Sequence, residues 1–377
     1  MKKYVGTCLA VLVLLLSGCL LERGNNANVE SSNRVQEDHK QQEQDQSNKD
    51  KLKEAEKEPN TETEIATIEE YYPLKENVRY VYEGQGNEYA SYVVHIDYIS
   101  DQKVQQRIDN GGTVIARIVE IKDGKLVETY SREEAYYREN LLNTGSGDEE
   151  VLLMEPLKEE TTWKLNDSSV RTITNLSAEV STPAGDYEAI EVSTEGPHGK
   201  TLDYYVKGIG LVHSVFHSKG TEVSSSLSKI EEDVPFIQTV SFFFPNINDD
   251  QMYYRNREVS FQTNDITRIM LEKAYKENVP DKLSSVLTKN MKINSLYLNQ
   301  DNNLYIDLNQ AFLTELVAGS GVEAMILQSV VNTFGHYYGV EKVLLSIDNK
   351  PYSSGHISMN KGEFFTVTSI DGAIKLQ

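Results

Sequence analysis

The chain is poor in cysteine and tryptophan and has no excess of positive charge. Its only cysteines are Cys8 and Cys19, both close to the N-terminus. The rest of the chain therefore has no thiol for a disulfide, a metal site or a catalytic nucleophile. The formal net charge of −21 argues against a nucleic-acid partner, because a protein that binds phosphates needs a basic surface.

The N-terminus has the features of an export signal. Lys2 and Lys3 precede an apolar run from Cys8 to Leu16, which is too short to cross a bilayer as a permanent helix. The next residues, Leu16-Ser17-Gly18-Cys19, resemble a lipobox, the signal of bacterial lipoproteins. The resemblance implies that residues 1–18 are a signal peptide and that the thiol of Cys19 is acylated. It also implies a lipid anchor on the extracytoplasmic face of the cell membrane.

Residues 19–70 follow the acylated cysteine and are strongly polar. Between Glu22 and Glu70 there are 14 acidic residues against 7 basic ones, and hardly an aromatic residue. Such a composition cannot bury enough apolar surface to offset the entropy lost on folding. We expect an acidic, disordered linker here.

Residues 71–232 are predicted to be almost entirely β-structure. Short turn signals, such as Asn110-Gly111-Gly112 and Asp123-Gly124, separate segments of alternating pattern and favour antiparallel hairpins. Ten strands are predicted: Arg79 to Glu83, Ser91 to Ile99, Lys103 to Asp109, Thr113 to Lys122, Lys125 to Ser131, Arg171 to Leu176, Asp186 to Ser193, Thr201 to Lys207, Gly210 to His217 and Thr221 to Lys229.

Two details of this half are predicted from local pattern. Alternation in the second strand places Tyr92, Val94, Ile96 and Tyr98 on one face, and Arg132 to Leu142 is predicted as a helix. The whole half is predicted to be a curved antiparallel sheet or an open barrel, a shape that can cup a ligand.

Residues 238–377 change pattern to strand, helix and strand, typical of an α+β domain. Ser320 and Glu323 are spaced as in a capping box, which predicts the start of a helix that Gly339 ends. Val322, Met325, Ile326, Val330 and Phe334 are predicted to form its apolar face. A second helix, with Ile266, Ile269, Met270 and Ala274 on its apolar face, is predicted to start at Asn264 and to end before Pro280.

This part of the chain resembles the GerMN domain of sporulation and spore-germination lipoproteins. The resemblance depends on Phe242-Phe243-Phe244-Pro245, on Ile306-Asp307-Leu308-Asn309 with Phe312, and on Val343 to Asp348 after an amphipathic helix. The chain departs from the family pattern at Asn349, where a Gly usually follows the Asp. What the resemblance implies is a non-enzymatic envelope domain, similar in fold to ring-building modules of secretion and sporulation channels.

No sequence motif predicts a catalytic residue, a cofactor site or a metal site. His213 and His217 lie on a predicted strand, too far apart for one metal ion, and His336 near a helix end suits a structural role. Ser353-Ser354-Gly355-His356 lacks the surroundings of a nucleophile elbow. Asn246-Ile247-Asn248-Asp249-Asp250 lacks the glycine and the glutamate of an EF-hand loop, and weak calcium binding there stays open.

Together these features predict an α+β protein in which a curved β half precedes a GerMN-like half, with few contacts across the polar boundary near Glu231. The favoured function is a membrane-anchored, non-enzymatic scaffold that binds envelope proteins, in sporulation or germination. The alternative is a lipid or small-ligand carrier that uses the β half. An apolar pocket in that half would favour the carrier, and a flat, edge-exposed GerMN-like surface would favour the scaffold. Homo-oligomerisation is left open.

Overall fold

A computed structural model describes residues 66–145, 147–316 and 318–376 of the chain. The predicted signal peptide, Cys19 and most of the predicted linker lie outside these residues. None of the described helices combines the length and the hydrophobicity that a membrane-spanning helix needs.

The described helices are α1 (Ile68–Tyr71), α2 (Thr267–Glu277), α3 (Ala311–Thr314) and α4 (Ser320–Tyr338), with a 3-10 turn at Ile370–Gly372. The strands are β1 (Arg79–Gln85), β2 (Tyr92–Ser100), β3 (Lys103–Asp109), β4 (Val114–Lys122), β5 (Lys125–Arg132), β6 (Glu150–Met154), β7 (Thr162–Lys164), β8 (Val170–Thr182), β9 (Gly185–Gly196), β10 (Gly199–Val206), β11 (Gly210–Ser218), β12 (Thr221–Glu231), β13 (Phe236–Asn246), β14 (Gln251–Phe261), β15 (Ile293–Leu298), β16 (Leu304–Leu308), β17 (Lys342–Ile347), β18 (Lys350–Pro351), β19 (Phe365–Thr366) and β20 (Ile374–Lys375).

Strands β1 to β12 form one open antiparallel sheet in the order β6-β5-β4-β3-β2-β1-β12-β11-β10-β9-β8-β7. Two six-stranded meanders thus meet where β1 pairs with β12. Tight turns direct the chain back on itself; Asp123 and Gly124 both have positive φ, which suits a two-residue hairpin turn. The sequence predicted a curved antiparallel sheet or an open barrel, and the open antiparallel sheet is confirmed.

Strands β6 and β7, which the sequence pattern did not predict, form the two edges of this sheet. They do not pair through their backbones, but side chains connect the two ends of the sheet. The indole N–H of Trp163 donates to the Val151 carbonyl at 2.9 Å, and Arg171 Nη1 donates to the same oxygen at 2.7 Å. Side chains therefore satisfy backbone groups that an edge strand leaves free.

The predicted helix from Arg132 to Leu142 is wrong, because this segment is an extended loop on the outer face of the sheet. Ala135, Leu141 and Leu142 pack there in a small apolar cluster. Backbone groups of the loop are bound by the sheet instead of by a helical turn. Gln105 Nε2 donates to the Glu139 carbonyl, and Arg107 donates to the carbonyls of Ala135 and Tyr137.

The prediction that Tyr98 shares a face with Tyr92, Val94 and Ile96 is also wrong. A bulge at Asp97 shifts the register, so that Ile96 opposes Gln106 and Tyr98 opposes Gln105. The extra residue turns Tyr98 to the outer face. Ile96 packs inside the curved sheet, whereas Tyr98 packs with the outer cluster.

The C-terminal half builds a second core around helix α4. A long hairpin of β13 and β14 contacts one side of the helix, and strands β16 and β17, which are parallel, contact another. Phe242, Phe244, Tyr275, Ile306 and Phe334 are all fully buried in this core. As predicted, Gly339 ends the helix, in a left-handed conformation with φ 66°.

Helix α2 differs from its prediction at its start and on its exposed face. Its N-cap is Ile266, and the Asn264 side chain instead accepts a hydrogen bond from the Ile99 N–H. Leu271 and Tyr275 are buried in the core, while Ile266 and Ile269 are about half exposed. The predicted apolar face is therefore wrong for these two isoleucines.

Arg138 connects the two halves of the molecule. Its side chain is 1% exposed, and Nη2 donates to the carbonyls of Asp97 at 2.7 Å and Gln262 at 3.1 Å. Nη1 donates to the Tyr98 hydroxyl and to the Asp265 carbonyl. The guanidinium also lies 4.1 Å above the Tyr98 ring, a cation–π distance.

The expectation that few contacts cross the boundary is wrong. Asn77 and Thr263 exchange hydrogen bonds of 2.8 and 2.7 Å, and Gln238 donates to the Tyr136 carbonyl at 2.6 Å. The ring of His95 meets the ring of Phe236 edge-on. The pKa of His95 is lowered to about 4, mainly because the imidazole is buried. The imidazole is therefore neutral at neutral pH.

Arg138→Ala is expected to lower the free energy of unfolding by about 3–5 kcal/mol, since it removes one member of a buried charged network. Chemical denaturation of the full chain measures this loss. Arg132→Ala is the matched control: Arg132 pairs with Glu139 near the surface, so we expect a loss of less than about 1 kcal/mol. Equal losses for the two variants would contradict the role assigned to Arg138.

Candidate interaction surface

One face of the small sheet in the C-terminal half carries a row of aromatic and aliphatic side chains outside the core. The register places Tyr297 of β15 opposite Tyr305 of β16, which in turn opposes Leu344 of β17. The Tyr297 and Tyr305 rings stack with centroids 5.3 Å apart, and Phe364 meets Tyr305 edge-on. We call these four residues the aromatic row.

The aromatic row lies on the side of the sheet opposite the core. Alternate residues of the same strands, such as Leu304, Ile306 and Leu345, point to the other side and are buried. Tyr297 is 48% exposed, and the other members of the row are half-buried. It is the grouping of these side chains on one sheet face, and not the exposure of one tyrosine, that makes the row a candidate contact surface, since aromatic residues are enriched at protein interfaces.

Asp307 fixes the end of this face. It is 3% exposed and accepts hydrogen bonds from Ser346 Oγ at 2.6 Å, the Asn349 N–H at 2.7 Å and Asn294 Nδ2 at 2.9 Å. Asn349, which replaces the usual glycine, has φ 62°. Asparagine tolerates this left-handed conformation better than most residues, so the departure from the family pattern keeps the turn.

Among the described strands, β15 lies at one edge of the small sheet and pairs with β16 alone. Helix α2 covers only its beginning: Glu272 accepts from the Ile293 N–H at 2.7 Å, and Arg268 donates to the Ile293 carbonyl at 2.9 Å. Tyr297 lies further along this edge. The aromatic row therefore adjoins a strand edge that an incoming chain can approach.

The predicted capping box at the start of α4 is wrong. The N-cap is Gly319, and the Glu323 side chain turns away from the helix start towards the segment after β18. Its carboxylate accepts from Tyr352 Oη at 2.8 Å and from Ser354 Oγ, and lies 2.9 Å from His356 Nδ1. Burial alone raises the pKa of Glu323, but these hydrogen bonds outweigh it and lower the pKa overall.

The histidines considered from the sequence lie apart in the structure. His213 bonds Ser226 on the outer face of the large sheet, and His217 lies 3.3 Å from Glu222. His336 stacks on Phe243, and His356 contacts Glu323. In the part of the chain that the structure describes, no three histidine, cysteine or acidic residues are grouped as metal ligands.

The two remaining candidate stretches form hydrogen-bonded turns. Ser354 Oγ donates to Glu323 and accepts from the backbone N–H groups of His356 and Ile357. In the hairpin turn, Asp249 accepts from Asn246 Nδ2 and from the Tyr253 hydroxyl. Both arrangements fix local backbone geometry. The sequence pattern alone did not distinguish this structural role from a catalytic role or a calcium-binding role.

The inside of the twelve-stranded sheet contains charged groups as well as an apolar core. Arg117 pairs with Glu128 at 2.7 Å, and Arg171 pairs with Glu150 at 2.6 Å. Asp203, whose pKa burial raises, accepts from Ser214 at 2.6 Å. An acyl chain on this face would displace or desolvate these groups, which is unfavourable.

Residues 241–353 match a protein-family model described as Germane, sporulation and spore germination. The match begins within β13, ends in the segment after β18, and includes α4, the aromatic residues Tyr297 and Tyr305, and Glu323. This part of the chain is GerMN-like. The remainder of the chain lies outside the match.

Three solved structures show weak similarity. The tandem GerMN domains of the sporulation protein GerM from Bacillus subtilis have 14% identity and a TM-score of 0.26, over 33% of this chain and 44% of that one. A protein from Clostridium perfringens, described as a candidate lipoprotein, has 16% identity and a TM-score of 0.23, over 35% of this chain and 87% of that one. An exported protein of YmcC-like fold from Bacteroides fragilis has 15% identity and a TM-score of 0.26, over 42% of this chain and 98% of that one.

These TM-scores are too low for a structural argument, so the GerMN-like assignment depends on the family model. The chain covers less than half of the tandem GerM structure. No curated protein matches the sequence.

Glu323→Gln is expected to destabilise the protein by about 1–3 kcal/mol at neutral pH, because a buried acceptor of three hydrogen bonds is replaced. Since the folded pKa of Glu323 lies below its usual 4.5, its stabilising contribution is present above pH 4.5 and is lost as pH falls through the folded value. The variant should therefore lose less stability on acidification. Urea denaturation between pH 7 and pH 3 measures both effects.

His356→Gln is the control for this measurement. His356 is half exposed, and its replacement leaves the hydrogen bonds from Tyr352 and Ser354 to the carboxylate, so we expect a loss of about 1 kcal/mol or less. If Glu323→Gln and the parent chain lost the same stability between pH 4.5 and pH 3, the carboxylate would not be the titrating group.

Proposed function

We propose that this protein is a lipid-anchored, extracytoplasmic lipoprotein whose GerMN-like half is a non-enzymatic scaffold for an envelope protein assembly. The family description, sporulation and spore germination, supports a role in one of these processes. The observation that carries the proposal is the aromatic row beside the free edge of β15.

The shape of the surface favours binding over catalysis. Tyr297, Tyr305 and Leu344 belong to adjacent strands of one sheet, and Phe364 immediately precedes β19. The rings of Tyr297 and Tyr305 already stack on each other. Stacked rings lose little conformational freedom when a partner covers them, since each has only two rotatable bonds. A partner protein that adds a strand at β15 would bury the row at the same time.

The β half holds this surface in a fixed orientation. Arg138 and the hydrogen bonds around Thr263 attach the GerMN-like half to the large sheet, so the aromatic row has a defined orientation relative to it. With a lipid on Cys19 and an acidic linker after it, the surface would be held near the membrane but free to reach a partner.

The alternative function, a lipid carrier, is less favoured. It requires an apolar cavity inside the large sheet, and ion pairs from Arg117 and Arg171 lie there. Because its interior is charged, the β half is better suited to a supporting role than to binding an acyl chain.

Tyr297→Ser is expected to reduce partner capture about tenfold or more, as loss of an exposed aromatic anchor does at protein interfaces. Affinity capture from membranes of sporulating and vegetative cells, followed by quantification of the retained proteins, measures this. Tyr136→Ser is the matched control, because Tyr136 is 54% exposed but belongs to the β half. Undiminished capture by Tyr297→Ser, with the control unchanged, would rule out this surface.

Cys19→Ala is expected to leave the chain without its acyl groups and to move it from the membrane fraction to the soluble fraction. Mass spectrometry of the N-terminal peptide and cell fractionation report the two effects separately. Cys8→Ala, within the predicted signal peptide, should change neither. If Cys19→Ala stayed in the membrane fraction with its mass unchanged except for the substitution, the anchoring proposal would fail.

A further inference from the structure

A second feature of the C-terminal half is a cavity of about 320 Å³ beside the β13–β14 hairpin. Asn246, Tyr253 and Arg255 line it on the hairpin side. Residues 279–283, which follow α2, and Leu376 line the opposite wall. The volume is at the lower end of the range for small-molecule sites.

Arg255 contributes a charged group to this cavity that lacks a protein partner. Its Nε is buried and has no hydrogen-bond acceptor among the described residues, and it forms no ion pair with them. Arg257, two residues along the same strand, also has a buried Nε without a partner. A buried donor without an acceptor costs free energy, and the cost is larger for a charged group.

Seven of the nine described arginines pair with a protein group, although Nε of Arg117 and of Arg138 also lacks a hydrogen-bond acceptor. Arg268 donates to a backbone carbonyl, and each of the remaining six pairs with a carboxylate: Arg79, Arg107, Arg117, Arg132, Arg138 and Arg171. In a chain with 58 acidic and 37 basic residues, acidic partners are plentiful. Arg255 nevertheless forms no ion pair with the described residues, not even with Asp281, which also lines the cavity.

The position of Arg255 explains how the group is held. It lies opposite Phe242, which is fully buried, so the aliphatic stem of Arg255 lies on the core side of β14. Val279, Pro280 and Leu283 give the far wall an apolar character, which strengthens the attraction between Arg255 and an anion. Asp281 and Lys282 at the rim are exposed and have opposite charges.

We propose that this cavity binds the carboxylate or phosphate group of a small ligand, with Arg255 as the recognising residue. A guanidinium presents parallel N–H donors that match the two oxygens of either group. The apolar wall would contact the remainder of the ligand. The Tyr253 hydroxyl is already used as a donor to Asp249, so the charged donors that line the cavity are Arg255 and, at the exposed rim, Lys282.

Thermal unfolding of the full chain tests the proposal with sodium phosphate, sodium acetate and sodium benzoate as probes, each against sodium chloride at equal ionic strength. A bound anion stabilises the folded state in a saturable way. We expect saturable stabilisation by phosphate or by the carboxylates, with benzoate effective at lower concentration than acetate because of the apolar wall. Stabilisation by phosphate alone assigns a phosphate ligand, and stabilisation by the carboxylates alone assigns a carboxylate ligand.

Three variants make the test specific. Arg255→Gln should abolish the stabilisation, and Arg255→Lys, which keeps the charge but loses the paired donors, should raise the half-saturating concentration about tenfold. Arg257→Gln, which changes a neighbouring arginine outside the cavity lining, should leave it intact. If no probe stabilised the parent chain beyond chloride, or if Arg255→Gln and Arg255→Lys both responded like the parent chain, the proposal would be overturned.

Discussion

The buried guanidinium of Arg138 is the interaction on which the arrangement of the two halves depends. It belongs to a loop of the β half, yet two of its acceptors, the carbonyls of Gln262 and Asp265, are in the C-terminal half. Asp97 provides the compensating charge, and it can do so because the bulge at that position moves its backbone out of the regular ladder. A guanidinium that is 1% exposed needs all of these acceptors, since an unsatisfied buried charge is strongly destabilising.

This constraint has a consequence for function. The hydrogen bonds that Arg138 Nη1 donates also orient α2, since Asp265 lies just before the N-cap of the helix and Thr267 is its first residue. Helix α2 covers the beginning of β15 through Arg268 and Glu272. The large sheet is thus connected through Arg138 and α2 to the edge strand that bears Tyr297. A partner bound at the aromatic row would meet a surface supported by both halves of the chain.

Much of the fold follows from local sequence pattern, whereas the contacts between distant segments do not. Turns such as Asp123-Gly124 require positive φ, so the hairpins of the large sheet were predicted closely. The bulge at Asp97 and the loop around Arg138 depend on partners more than a hundred residues away, and the alternation of residues along one strand does not reveal these partners.

Glu323 shows the same limit of local pattern. Its spacing from Ser320 fits a capping box, but in the structure its carboxylate binds Tyr352, Ser354 and His356 instead of the helix start. The aromatic row was not predicted because Tyr305 and Leu344 alternate with core residues and resemble ordinary strand positions. No sequence pattern predicts that the buried Nε of Arg255 lacks a hydrogen-bond acceptor.

The most direct test of the account is whether the two halves unfold together. Trp163 is the only tryptophan of the chain and lies in the β half, so its fluorescence reports on that half. Most of the described helix is in α2 and α4, so circular dichroism at a helix wavelength reports on the C-terminal half. If the buried network around Arg138 couples the halves, the two signals should follow one urea transition with the same midpoint and slope. Two separate midpoints would contradict the account and would make the halves independent domains joined by a weak contact.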